Sequence, residues 1–139
     1  MRCYSVVYTI SISYDASTRL LSDDLKAEQR FIATKGDNDV VKLQFTINDP
    51  EHELDGFDRR VDFDIKAKEG DDTEYKPFLM LDENDCATLP NDILTYARKF
   101  KMPIQLVFED PKTHERLCSF NTLTYLVSCA VKGKRITNG

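Results

Sequence analysis

Carboxylates are the side chains of this chain best placed to do chemistry. Asp62 and Asp64 are two residues apart, which on a strand sets both on one face about 7 Å apart. A pair at that spacing can divide the work of general acid and general base. Arg60 and Lys66 continue the same period on either side, however, and alternating charges along a strand face make an ordinary ion-paired surface. A cysteine nucleophile would need a base in contact with an accessible thiolate. Cys118 stands four residues from His114, which in extended chain is about 13 Å. His114 and His52 both fall in turn-like segments, Thr113-His114-Glu115 and Pro50-Glu51-His52-Glu53, where a histidine needs no functional explanation.

Metal and phosphate chemistry fare no better. Asp82-Glu83-Asn84-Asp85 opens like a calcium loop, but Cys86, Ala87 and Ile93 occupy the places that need an oxygen ligand, a glycine and a glutamate. Asp71, Asp72 and Glu74 form a looser oxygen-rich loop. Cys3, Cys86, Cys118 and Cys129 include no C-x-x-C pair. With five glycines in all, no phosphate-cradling motif occurs. The expectation is a protein that catalyses nothing and holds no cofactor or metal. Tyr75, Phe78 and Tyr96 keep an alternative open, a carbohydrate-binding module using exposed aromatics, with calcium in the acidic loops.

The totals agree with a binding or structural domain. The chain has 139 residues, 41% of them hydrophobic, enough for one core. Its net charge of −5 argues against nucleic-acid affinity. The charge is uneven: Asp49 to Asp85 holds 14 acids and 5 bases, Arg98 to Gly139 holds 8 bases and 3 acids. Such halves are solvated surfaces or complementary patches that orient neighbouring copies or a partner. The first residues alternate in place of forming an apolar leader, so reduced, partly buried thiols are expected. No run is apolar enough to cross a membrane as a helix.

The elements that must position these groups are strands. Tyr4, Val6, Tyr8, Ile10, Ile12 and Tyr14 alternate with Ser5, Val7, Thr9, Ser11 and Ser13; Leu123, Tyr125, Val127, Cys129 and Val131 do the same near the other end. Period 2 writes one buried and one wetter face; Tyr4, Tyr8 and Tyr14 share a stripe that could stack sugars or bases, but at strand spacing beside Val6, Ile10 and Ile12 they read as core or interface residues. Val41, Leu43, Phe45 and Ile47 mark an internal strand; Val61, Phe63 and Ile65 mark another within Phe57 to Ala67, with Arg60, Asp62, Asp64 and Lys66 outward. Short strands are expected at Phe31 to Thr34, Phe78 to Leu81 and Cys86 to Leu89, then at Ile104 to Glu109; Arg116 to Val131 reads as one long strand or as two in succession, with Asn121-Thr122 the place for a kink. Arg19 to Arg30 reads as loop or one helical turn. Asn91 caps a short helix carrying Ile93, Leu94 and Ala97. Regular short strands divided by turn signals predict an all-β antiparallel sandwich with one short helix. The domain spans residues 1–132, and 133–139 are a polar tail or the start of a linker to a further region.

The order of these segments resembles the N-terminal domain of upper baseplate proteins of tailed phages that infect Gram-positive bacteria. The resembling segments are Lys35-Gly36-Asp37-Asn38-Asp39-Val40-Val41-Lys42-Leu43-Gln44-Phe45, Leu54-Asp55-Gly56 before Arg60-Val61-Asp62-Phe63, and Leu89-Pro90-Asn91-Asp92-Ile93-Leu94. Ile104-Gln105-Leu106-Val107-Phe108-Glu109 and Phe120-Asn121-Thr122-Leu123-Thr124-Tyr125-Leu126-Val127 complete them. The resemblance implies an immunoglobulin-like β-sandwich in the virion tail, folded in the host cytoplasm. It also implies partners: other virion proteins, namely a tail hub and a receptor-binding protein, with the chain a homo-oligomer in the assembly. Neither nucleic acid nor membrane insertion is implied. From charge placement, the expected contact residues are Arg59, Arg60, Asp62 and Asp64 on the outer face and Lys132, Lys134 and Arg135 in the tail.

Overall fold

The computed structural model describes residues 7–25, 31–35, 40–67, 74–75, 77–89 and 99–129. Among them every regular element is a strand. In chain order these are β1 (Val7–Asp15), β2 (Leu20–Asp23), β3 (Phe31–Lys35), β4 (Val40–Asn48), β5 (Asp58–Phe63) and β6 (Ile65–Ala67). They continue with β7 (Glu74–Tyr75), β8 (Phe78–Met80), β9 (Cys86–Thr88), β10 (Lys99–Glu109), β11 (Arg116–Cys118) and β12 (Leu123–Cys129). One sheet runs β2-β1-β4-β9; the other runs β3-β12-β10-β5-β8, with β11 and β6 also on β10 and β7 on β6.

The alternation in the sequence is the packing plan. Ile10, Ile12 and Tyr14 of β1 are buried while Thr9, Ser11 and Ser13 face water. Val41, Leu43 and Phe45 of β4 lie beside them. From the other sheet come Val61 and Phe63 of β5, Met102, Ile104, Leu106 and Phe108 of β10, and Leu123 and Tyr125 of β12. The Tyr14 and Phe108 rings meet across the gap with centroids 5.1 Å apart, a tilted aromatic pair. The result is a β-sandwich with one continuous core.

Polar side chains tie the sheets at both margins. At one, the Asn121 side chain imitates a strand: its Oδ1 accepts from Leu21 N at 2.7 Å and its Nδ2 donates to Leu21 O at 2.8 Å. The fully buried Tyr125 donates its hydroxyl to Asp23. Arg19, with a left-handed φ of 61°, donates to Cys118 O at 3.0 Å, and its carbonyl accepts from Phe120 N at 2.8 Å. At the other margin the chain passes from β8 to β9, and so between sheets, through a turn at Asp82–Asp85. Asp82 Oδ1 accepts from Asn84 N and Cys86 N, and Arg59 Nη1 lies 2.7 and 2.8 Å from the two Asp85 carboxylate oxygens.

Several expectations change. Leu20–Asp23 is a strand: the Asp15 carboxylate accepts from the Ser17 amide and hydroxyl and closes a four-residue turn that folds β2 back on β1. β10 begins at Lys99, five residues before Ile104, and runs through Pro103. Proline lacks an amide donor, and the pairing partner is interrupted there, since the expected single strand Phe57 to Ala67 divides into β5 and β6 at Asp64. The strands pair mostly antiparallel, but β1 with β4 and β12 with β3 are parallel. The kink at Asn121-Thr122 separates β11 from β12 as expected. The helix expected after Asn91 and the tail 133–139 lie outside the described residues.

Two substitutions test this packing. Phe108→Ala empties the centre of the slab and is expected to cost about 3–5 kcal/mol in urea unfolding. Asn121→Leu keeps the branching of the side chain but leaves both Leu21 backbone groups without their partner, and is expected to cost about 1–3 kcal/mol by the same measurement.

Candidate interaction face

Period 2 sends Arg60 and Asp62 of β5 to the side of the sheet away from the core, and the antiparallel register places Val107 and Gln105 of β10 beside them. On the opposite flank of β5 the same register brings Met80 and Phe78 of β8 alongside Arg60 and Asp62. The face is therefore built from three neighbouring strands. Val107 is only 2% exposed despite its outward direction, because Arg60 and Cys118 flank it from both sides.

Arg60 organises the charges. Its Nε lies 2.9 Å from Asp62 Oδ1, its Nη1 lies 3.8 Å from Glu109 Oε1, and its guanidinium carbon sits 4.9 Å from the centre of the Phe78 ring. Glu109 also meets Arg116 Nε at 2.9 Å and His114 Nδ1 at 3.2 Å. Hydrogen bonds from His114 and Arg116 hold the Glu109 carboxyl below its usual range. The backbone amide of Lys112 does the same for Asp110. Phe78 and Met80 remain 54% and 52% exposed, two apolar side chains on an edge strand next to this network.

A cleft of 460 Å³ opens on this face, lined by Arg60, Asp62, Asp64, Phe78, Gln105 and Thr122, with Pro77 and Pro103 among its walls. It lies where β10 changes partners from β5 to β6. Asp64 sits in that break, donating its amide to Pro103 O at 3.3 Å. Its Oδ1 is buried and has no hydrogen-bond partner among the described residues. Gln105 is fixed by donating to Ser119 O at 2.8 Å.

The structure thus brings Arg60, Asp62 and Asp64 together and separates Arg59 from them. Arg59 was expected on the outer face; as an immediate neighbour of Arg60 it shares the inner side with Val61 and Phe63, and from the strand end it reaches across to Asp85. Lys132, Lys134 and Arg135 lie outside the described residues, as do Tyr96 and the side chain of Tyr75. Glu109, Arg116 and Gln105 were not singled out in the sequence. Their signal is the hairpin turn at Asp110–Thr113, which sets Glu109 opposite Arg116, and the alternation that turns Gln105 outward.

The candidate chemistry resolves into structural partnerships. His114 meets Glu109, and His52 meets Asp55 at 3.3 Å. Burial, helped by Asp82, pushes the Cys86 thiol up, away from an activated thiolate. Asp82 and Asp85 hold the turn that once suggested calcium. Among the described residues no group of three or more His, Cys, Asp or Glu stands together as a metal site. No helix there is long and apolar enough to cross a membrane.

No protein-family model matches the chain, and no curated protein does. Among solved structures it is similar to the N-terminal domain of phage TP901-1 ORF48, with 11% identity and a TM-score of 0.40, covering 90% of this chain and 97% of that one. A likeness that loose transfers no partner or role.

The lowered Glu109 carboxyl gives a pH signature. A depressed folded-state pKa contributes stability that is present above the unfolded value and lost as pH falls through the folded one. Wild type is therefore expected to lose thermal stability as pH drops below the ordinary glutamate value of 4.5. Glu109→Gln, lacking that group, is expected to lose less over the same range in scanning calorimetry.

Proposed function

We propose that this chain is a non-enzymatic structural domain of a phage tail, which docks onto other virion proteins through the outer face of β5, β8 and β10. The observation that carries the reading is the make-up of that face. Two exposed apolar side chains, Phe78 and Met80, stand beside an Arg60–Asp62–Glu109–Arg116 charge network on an edge of the sheet. Protein interfaces combine an apolar anchor with a charged surround that sets register. The segment order described above, which resembles upper baseplate N-terminal domains, supplies the setting. In that setting the sandwich is of the immunoglobulin type, the partners are a tail hub and a receptor-binding protein, and copies of the chain assemble together. The basic residues Lys132, Lys134 and Arg135 are a second contact of opposite sign to the acidic middle of the chain.

Co-purification with the products of neighbouring genes tests the proposal. Arg60→Glu reverses the centre of the network and is expected to weaken assembly roughly tenfold or more. Lys134→Glu is expected to weaken it through the tail. Assembly at the wild-type level in both variants, read by size-exclusion chromatography and light scattering, overturns the assignment.

A further inference from the structure

β8 ends its sheet, and its outer edge carries hydrogen-bonding groups that β5 does not use. Pro77 O accepts from Phe63 N at 3.0 Å and Leu81 N donates to Arg59 O at 3.0 Å, so these two residues turn their backbone groups toward β5. Alternation along the strand puts Leu79 with them and leaves the N–H and C=O of Phe78 and Met80 on the side away from β5. Among the described residues no strand pairs with that side. The devices that blunt an edge do not act here. Pro77-Phe78-Leu79-Met80-Leu81 carries no charge. The amide that Pro77 lacks belongs to the side facing β5, so the proline leaves the outer edge open. The Phe78 and Met80 side chains are exposed as well.

We propose that this edge pairs with the same edge of a second copy of the chain, the two β8 strands running antiparallel about a two-fold axis at Leu79. Register and charge select that occupant. An axis at Met80 would set Phe78 against the partner's Asp82, whose amide is already donated to Cys86 O at 2.9 Å. An axis at Phe78 would carry Met80 past the start of the partner's β8. An axis at Leu79 sets each Phe78 opposite the partner's Met80, so every free N–H on the edge meets a free C=O. Both side chains of such a pair lie on the outer face, where a thioether against an aromatic ring is a favourable contact. The neighbours on β5 complete the match: Arg60 lies beside Met80 and Asp62 beside Phe78. Each row across the junction therefore reads Arg60, Met80, the partner's Phe78, the partner's Asp62. Opposite charges end every row, and the Arg60–Asp62 ion pairs flank an apolar centre made by Phe78 and Met80 of both copies. An unrelated extended peptide could satisfy the backbone groups, but it would not reproduce both rows. With strands of three residues the dimer is a weak one, with a Kd of about 100 µM. The two-fold pairing consumes both edges and stops at two copies. The inference goes beyond the docking assignment, since it concerns the edge of β8 and a second copy, and the paired copies present one continuous outer face to a third protein.

Sedimentation equilibrium of the whole chain from about 10 µM to about 1 mM is expected to show a monomer–dimer equilibrium. Over the same range, NMR-detected hydrogen exchange at the Phe78 and Met80 amides is expected to slow as concentration rises, while the Leu79 amide, which faces β5, keeps its rate. Phe78→Glu and Met80→Lys each set a charge against an apolar side chain of the other copy. Each is expected to weaken dimerisation roughly tenfold or more, with its thermal midpoint unchanged. Mixed in equal amounts, the two variants are expected to recover the dimer, because the introduced carboxylate and ammonium then face one another while the remaining Met80 faces the remaining Phe78. A wild type that stays monomeric to about 1 mM, a dimer that survives both substitutions, or a mixture that recovers nothing overturns the proposal. So does exchange at Phe78 and Met80 that is independent of concentration, a wild-type measurement that decides even where a variant fails to fold. A monomer that still co-purifies with other virion proteins removes the dimer and leaves docking standing. A dimer that co-purifies with nothing removes docking and leaves the dimer.

Discussion

Water excluded from the slab between two sheets is the constraint on which the other features depend. Strands of one sheet supply Ile12, Tyr14, Leu43 and Phe45; strands of the other supply Ile104, Leu106, Phe108 and Tyr125, each all but removed from solvent. Hydrophobic burial has no direction of its own and scales with apolar area. It brings the sheets together without deciding how they are aligned. Alignment comes from the margins, where Asn121 and Tyr125 hold β2 and Arg59 holds the turn before β9. Tyr125 and Asp23 join strands of the two sheets, while Asn121 and Asp85 do so from the connections beside β12 and β9, so a slip of one strand would leave these groups unpaired.

The outer face inherits its geometry from the same constraint. Because Val61 and Phe63 must point inward, Arg60 and Asp62 must point outward. Because Leu106 and Phe108 point inward, Gln105, Val107 and Glu109 join them. Pro103 is accommodated only because its neighbour strand stops at Asp64, and that stop opens the cleft. The proposed binding surface is thus the reverse side of the core plus one interruption in pairing.

Much of this was legible in the residues. Strict alternation gave the class, most strand positions and the inward and outward sides of β4 and β5. Turn chemistry at Asp110–Thr113 and the kink at Asn121-Thr122 marked real boundaries. Three things were not legible, each for a physical reason. A period of 2 is the same for parallel and antiparallel neighbours, so the parallel pairings of β1 with β4 and β12 with β3 left no trace in it. Leu20-Leu21-Ser22-Asp23 is too short and mixed to show a period; its strand form is stabilised by Asn121, one hundred residues away. Arg59 looked like its charged neighbour Arg60, and only the sandwich places an acidic partner, Asp85, within its reach. The cleft, too, depends on which strands stop opposite one another, which no single segment encodes.

The claim that two sheets enclose one apolar layer is tested most directly by the contact at its centre. Nuclear Overhauser effects between the rings of Tyr14 and Phe108, whose centroids are 5.1 Å apart, report on it in solution. Strong cross-peaks between these rings are expected. Their absence, with both rings assigned and the chain folded, would contradict that claim.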